Sequence, residues 1–325
     1  MRKKYQKLIM IFLAALMVFS LAACGSSENS SKGGSKDEKR KVKIGYLPIT
    51  HAMPLFIESE DGKENFKNIE LELVKFGSWP ELLDALNTGR IDGASVLITL
   101  AMKAKESGID LKAVALGHRD GNVLVVNKDI NKIEDLKGKS FAIPHKFSTH
   151  NILLHQALKQ AGMKYEDVKA VELPPAEMPA ALSEGRIAGY VVAEPFGAVS
   201  VALDKGKVLY QDQDVWKDSI DCALVLRNDF IQEDGNYAQE LVNEYVKAGE
   251  TAEKKDSHVH DVSSKFMKVD KKVMDVSLKW ISYDELRIDE ASYDELTTNL
   301  KEMKLLDNPP SYKDFIDNTL IDKAK

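Results

Sequence analysis

The chain has 325 residues, 45 Lys+Arg against 51 Asp+Glu, 44 % hydrophobic and 30 % charged residues. That composition is globular, and the length suits two lobes of about 150 residues each. Two cysteines exclude a disulfide-rich scaffold and any four-cysteine zinc or iron–sulfur site. The net charge of −6 argues against nucleic acid as a partner.

Residues 1–24 carry Arg2, Lys3, Lys4 and Lys7 and no acid, so the other 41 bases face all 51 acids and the remainder holds −10. An apolar run from Leu8 to Val18 follows, shorter than the roughly 20 residues of a membrane span. Together these predict a signal peptide over residues 1–23. Its end, Leu21-Ala22-Ala23-Cys24-Gly25, resembles the lipobox of bacterial lipoproteins, which implies a lipid on Cys24. Two acyl chains anchor firmly where one does not. Residues 25–40 hold no apolar residue beyond glycine, so 24–40 reads as a lipidated cysteine and flexible tether.

From Lys41 the body alternates strand and helix, which predicts α/β layers with mostly parallel sheets. Strands are expected at Val42–Leu47, Ile69–Phe76, Ile91–Ile98 and Leu111–Leu116. Ser78-Trp79-Pro80-Glu81 reads as a capping box opening a helix that stops at Gly89. Ser140–Ile143, Val168–Leu173 and Gly189–Ala193 continue the strands. A helix capped by Ser148 or Thr149 runs to Gly162, and another spans Glu177–Ser183 with Pro179 in its first turn. Residues 85–93 (Ala-Leu-Asn-Thr-Gly-Arg-Ile-Asp-Gly) and 181–189 (Ala-Leu-Ser-Glu-Gly-Arg-Ile-Ala-Gly) match at six of nine positions, an echo suited to one copy per lobe. After the strand Cys222–Leu226, helices are expected over Ala238–Ala252, Val259–Val269, Lys271–Ile281 and Tyr293–Met303.

Lys43-Ile-Gly-Tyr-Leu-Pro-Ile-Thr-His-Ala52, Phe147-Ser-Thr-His-Asn-Ile-Leu-Leu154, Pro174-Pro-Ala-Glu-Met178, the turn at residues 185–190 and Ala193-Glu-Pro-Phe196 together resemble the solute-binding lipoproteins of ABC importers. The resemblance is to the nitrate, bicarbonate, taurine, alkanesulfonate and thiamine-pyrimidine-precursor group. It implies a two-lobed periplasmic-binding-protein type II fold. Lobe I takes 41–127 and the return 215–325 with its C-terminal helices, and lobe II takes 128–214. It implies an extracytoplasmic monomer on the outer face of the membrane that delivers a small solute to a permease and its ATPase. The group's Gln-Trp-Gln segment is replaced here by Ser95-Val96-Leu97, and its basic residue falls near Cys222. Both departures point away from a small inorganic anion toward a partly apolar organic cargo. An enzyme on this fold and a sensor or adhesin lipoprotein stand as alternatives. The fold's iron enzyme has a cysteine-rich signature that this chain lacks.

Ligands of open α/β sheets bind beyond the carboxyl ends of strands. The candidate ligand-binding residues are therefore Thr50, His51, Ser78, Trp79, Ser95, Val96, His118, Ser148, Thr149, His150, Glu194, Phe196 and, near Asp221 on the second crossing, Cys222. Ser148–His150 open a helix whose free N–H groups favour polar or anionic groups. His51 and His118 read equally as structural histidines, Trp79 as core, Glu194 as a turn-shaping carboxylate and Cys222 as a buried small residue. No catalytic residue, cofactor or metal ligand is expected, and His258-Val-His260 is too isolated to count as one.

Overall fold

The structure is a computed structural model that describes residues 39–233 and 235–324. The signal peptide, Cys24 and most of the tether lie outside the described residues.

The first sheet has strand order β2-β1-β3-β11-β4, formed by β1 (Arg40–Tyr46), β2 (Ile69–Lys75), β3 (Gly93–Leu97), β4 (Leu111–Leu116) and β11 (Cys222–Arg227). The second has the order β10-β6-β9-β7-β8, from β6 (Asn122–Val126), β7 (Ser140–Ile143), β8 (Lys169–Glu172), β9 (Gly189–Ala193) and β10 (Lys207–Gln211). β5 (Arg119–Asp120) pairs with β12 (Ile281–Ser282) on the first crossing. The second lobe's sheet thus begins at Asn122, inside the stretch 41–127 expected to belong wholly to lobe I.

Both sheets are mixed rather than mostly parallel. β1 runs parallel to β2 and β3, but β11 is antiparallel to β3 and β4. In the second sheet β7 runs parallel to β8 and β9, while β6 is antiparallel to β9 and β10. The reason is geometric. β6 and β11 enter their sheets from the crossings, so they start where neighbouring strands end. Central strands β3 and β9 are buried along their whole length, as their continuous small and apolar sequences require.

The helices follow the apolar periodicity, with ends that shift by a few residues: Tyr237–Glu253 and Glu290–Glu302 start earlier than expected, whereas Ser257–Phe266 stops short of Val269. The helix Trp79–Asn87 has Pro in its first turn, but the Ser78 side chain makes no cap hydrogen bond. Gly89 and Gly185, matched in the internal echo, both adopt positive φ, at 72° and 70°. Each ends a helix in the left-handed conformation that glycine takes without steric cost. The predicted helix Lys271–Ile281 ends at Ser277, because Ile281 is drawn into the ribbon with Asp120.

The larger apolar core includes the packed rings of Tyr46, Phe56 and Phe266. The helix Tyr237–Glu253 packs on Met53–Asp61 of the first lobe. The C-terminal helices, expected to pack against lobe I, also reach the second lobe. Lys271–Ser277 packs on Phe196–Ala202 of the second lobe, and Gln156 and Lys159 of that lobe bond to Asn299 and Glu302. No helix among the described residues is long and apolar enough to cross a membrane.

Candidate functional site

Five buried side chains converge where the two chain crossings meet the sheets. His51 follows β1, His118 follows β4, Asp221 stands just before β11 and Cys222 begins it. Cys222 faces Leu97, the last residue of β3, so the start of the antiparallel strand stands beside a carboxyl strand end. His150 comes from the other lobe, in the first turn of the helix Thr149–Gln160. None of the five is more than 2 % exposed.

Asp221 is the hub. His51 Nδ1 lies 3.1 Å from its Oδ2, and Nε2 of His118 and of His150 each lie 3.9 Å from the same oxygen. The hydroxyl of Thr149 donates to Oδ1. Cys222 Sγ is 3.9 Å from Asp221 and 3.4 Å from His51 Nδ1. The His51 and His118 rings stack with centroids 3.5 Å apart. Ligand-type atoms of His51, His118, Asp221 and Cys222 all lie within 4.8 Å of one another, a set that could hold a metal ion. No metal ligand is expected at these positions from the sequence. The four residues look unrelated in sequence but share one point in space.

The backbone sets the His118 tautomer. His51 Nε2 is 3.3 Å from the Gly121 carbonyl oxygen, and His118 Nδ1 is 2.6 Å from that of Asp120. A carbonyl only accepts, so His118 Nδ1 carries the hydrogen and its Nε2 keeps the lone pair, facing Asp221. His51 stands between two acceptors, the Gly121 carbonyl at Nε2 and the Asp221 carboxylate at Nδ1, and its one hydrogen serves either. Burial holds His51 down to about 3 and His150 down to about 4 despite the pull of Asp221 on His150. It also pushes His118 well below the usual imidazole range, helped by His51. The imidazoles are therefore neutral at physiological pH. Burial, and next the Asp221 charge, raise the Cys222 thiol well above its ordinary value. Among the described residues, His118 Nε2 and both nitrogens of His150 have no hydrogen-bond partner, and neither do the side-chain atoms of buried Asn122.

A second polar link joins the lobes. Thr50 donates from both its backbone N–H and its hydroxyl to the Glu194 carbonyl oxygen, at 2.9 and 3.0 Å. Burial raises the Glu194 carboxyl from 4.5 to about 7, opposed by Ser277 and the Ala198 N–H. Ser277 Oγ lies 2.8 Å from Glu194 Oε2 and 2.9 Å from the Val273 carbonyl oxygen. One hydroxyl hydrogen cannot serve both, so a proton on Glu194 completes the chain from carboxyl to serine to carbonyl.

A family profile matches residues 35–264, described as the NMT1-like family. The chain belongs to the NMT1-like family. It is 43 % identical to a Staphylococcus aureus structure described as the ligand binding component of an ABC-type import system with zinc bound. That alignment covers 88 % of this chain and 99 % of the other, with a TM-score of 0.84. A putative aliphatic sulfonates-binding protein of Bacillus subtilis is 28 % identical over 97 % of this chain and 96 % of its own. The periplasmic nitrate-binding protein NrtA of Synechocystis PCC 6803 shares the fold at a TM-score of 0.79 and 19 % identity, over 88 % of each chain. This NMT1-like chain spans between a third and three fifths of the length of the first curated relatives it matches. The two-lobed periplasmic-binding fold inferred from the sequence is the fold of these neighbours.

The other expected site residues of the NMT1-like chain are spread more widely. Ser148 caps its helix by accepting from Asn151 N–H, so its hydroxyl serves the helix end. Ser78 and Trp79 follow β2, at the far edge of the first sheet. Three strand spacings, about 14 Å, separate β2 from β11. Trp79 sits in the apolar core with its indole N–H unpartnered. Ser95 and Val96 pair with Leu224 and Ala223, deeper in the sheet than Cys222. Phe196 is half-buried, packs against the apolar clusters of both lobes and accepts the Tyr190 hydroxyl. In the sequence Asp221 is marked only by its place beside Cys222, and an acid before a strand carries no further signal.

Proposed function

We propose that this chain is the ligand-binding component of an ABC-type import system. It holds cargo at the centre around Asp221, between the two lobes, and hands it to a permease driven by an ATPase. The chain works as a monomer outside the cytoplasmic membrane, tethered by lipid on Cys24. The single observation that carries this is the convergence of unpartnered buried nitrogens from both lobes, His118 Nε2 on one side and His150 Nδ1 and Nε2 on the other. Such a site is completed only when the lobes come together over something. The names of relatives bring in aliphatic sulfonates, nitrate and zinc as cargo candidates.

Uptake tests the reading. A strain lacking the chain is compared with the same strain carrying it again, for accumulation of isotope-labelled taurine, an alkanesulfonate, nitrate and zinc. A deficit in one cargo, restored by the chain, is the expected result. Equal accumulation of all four in both strains overturns the proposal.

A further inference from the structure

We infer that the interlobe centre binds a single divalent transition-metal ion of the zinc class, through His51, His118, Asp221 and Cys222 from the first lobe and its crossings, with His150 brought in from the second lobe. This rests on the import reading and names its cargo.

Three observations carry it. The first is the chemistry of the set. Imidazole, thiolate and carboxylate select zinc and its borderline-soft neighbours, whereas calcium and magnesium take oxygen ligands. The second is the tautomer pattern. The Asp120 carbonyl fixes the hydrogen on the outer nitrogen of His118, so the Nε2 lone pair faces the centre, and the Gly121 carbonyl stands 3.3 Å from the outer nitrogen of His51, ready to take its hydrogen when Nδ1 binds an ion. Backbone or carboxylate partners on the outer nitrogen are the usual support of a metal-bound imidazole. The third is His150, about 1 % exposed, with two unpartnered nitrogens and Nε2 facing Asp221 at 3.9 Å.

Size and charge disfavour an anionic or organic cargo at this point. The four ligand atoms lie within 4.8 Å of one another. A tetrahedral zinc ion places its ligand atoms roughly 3.3–3.8 Å apart, from metal–ligand lengths of about 2.0–2.3 Å. A contraction of about an ångström closes the set on an ion, but the set has no space for a sulfonate. Among the described residues every ion-pair partner of Asp221 is a histidine, with no Lys or Arg among them. A sulfonate or nitrate would meet the Asp221 charge without a cation to offset it. A divalent cation instead neutralises Asp221 and the Cys222 thiolate together, as the thiol releases its proton to water.

The test is a titration of the purified full chain with zinc, cobalt(II), calcium and taurine, followed by competition against a chromophoric chelator. One tightly bound zinc or cobalt per chain is expected, with a thiolate-to-cobalt charge-transfer band. Cys222→Ser removes that band, and His118→Ala weakens binding by about 100-fold or more. His150→Ala retains weaker binding but loses the metal-induced compaction seen by small-angle scattering. His258→Ala, at an exposed histidine, changes none of these. Absence of the cobalt band in the wild-type chain overturns the inference even if the variants fail to fold. So does metal binding that survives Cys222→Ser and His118→Ala unchanged. A chain that restores sulfonate uptake but binds no zinc sinks the metal site and leaves import standing. A chain that binds zinc without affecting the uptake of any cargo does the reverse.

Discussion

The Thr149 hydroxyl donates to Oδ1 of Asp221, from the first turn of a second-lobe helix to the residue just before the first lobe's β11. This bond leaves Oδ2 to face His51, His118 and His150. Thr149 therefore orients the hub of the centre and also ties the lobes together. It is a positioning residue, since its oxygen meets Asp221 and not the cargo.

Thr149→Val keeps the side-chain shape and removes the donor. A buried carboxylate oxygen then loses a partner, at a cost of about 1–3 kcal/mol in stability. Metal affinity should fall roughly 10–100-fold, the usual effect of losing a partner that orients a ligand. Thermal unfolding and chelator competition measure the two effects, and Thr149→Ser should restore both. Loss of stability with unchanged affinity would limit Thr149 to a structural role.

Tryptophan emission separates the sheet edge from the crossing. Trp79 lies in the core beyond β2, whereas Trp216 is buried on the second crossing, five residues before Asp221. Lobe closure bends the crossings and leaves the interior of each lobe nearly rigid. The emission change on adding zinc should persist in Trp79→Phe and shrink in Trp216→Phe. A change that disappears with Trp79 would return the cargo to the neighbourhood of β2.

Much of the fold was legible because strand and helix periods are local. The Gly-Arg-Ile echo even located two left-handed helix ends, at Gly89 and Gly185. The strand directions were less legible, since β6 and β11 run backwards only because they enter from the crossings. Within the site, His51, His118, His150 and Cys222 could be named one by one as residues near strand ends or crossings. Their meeting could not be foreseen. His51 and Cys222 are 171 residues apart, with no metal-binding spacing between any pair. The His118 tautomer depends on the Asp120 carbonyl, and a sequence does not reveal where a carbonyl points.

Glu194 should give stability a distinct pH dependence. Its folded value, about 7, lies above the ordinary 4.5. Below about pH 4.5 both folded and unfolded chains are protonated. Between 4.5 and 7 the unfolded chain loses its proton first, so the folded state binds more protons and stability falls as pH rises. The full effect is on the order of 3 kcal/mol and is complete above about pH 7. Glu194→Gln imitates the protonated carboxyl toward Ser277 but cannot accept from the Ala198 N–H. It should be about 1 kcal/mol less stable than the parent at pH 4 and gain on it steadily to pH 8. Parallel unfolding curves for parent and variant across that range would show that Glu194 is ionised in the folded protein.

Membrane attachment is a separate matter from cargo. Cys24→Ala should move the chain from the membrane fraction to the soluble fraction while purified protein binds zinc as before. Fractionation with an antibody to the chain measures this, and a variant that stays with the membrane rules out lipid on Cys24.

Gly117 holds the centre at close quarters. A Cβ at this position would stand 2.5 Å from the His51 carbonyl oxygen and 3.5 Å from that of Cys222. The Gly117 N–H also donates to the Cys222 carbonyl oxygen at 2.8 Å. Both neighbours are backbone, so neither can swing aside as a flexible side chain would. The Cys222 distance is an ordinary contact, so Gly117→Ala must push the His51 backbone, in the helical turn Thr50–Ala52, away from Gly117. That widens the gap between His51 Nδ1 and Cys222 Sγ, now 3.4 Å. Overpacking of this kind costs about 1–3 kcal/mol of stability. The larger effect should fall on the metal, because a tetrahedral site tolerates only a few tenths of an ångström in its bond lengths. Cobalt-loaded protein gives the sharpest readout. The charge-transfer band should weaken or shift in Gly117→Ala at temperatures where the variant is fully folded. An unchanged band at full occupancy would mean that His51 and Cys222 do not share one ion.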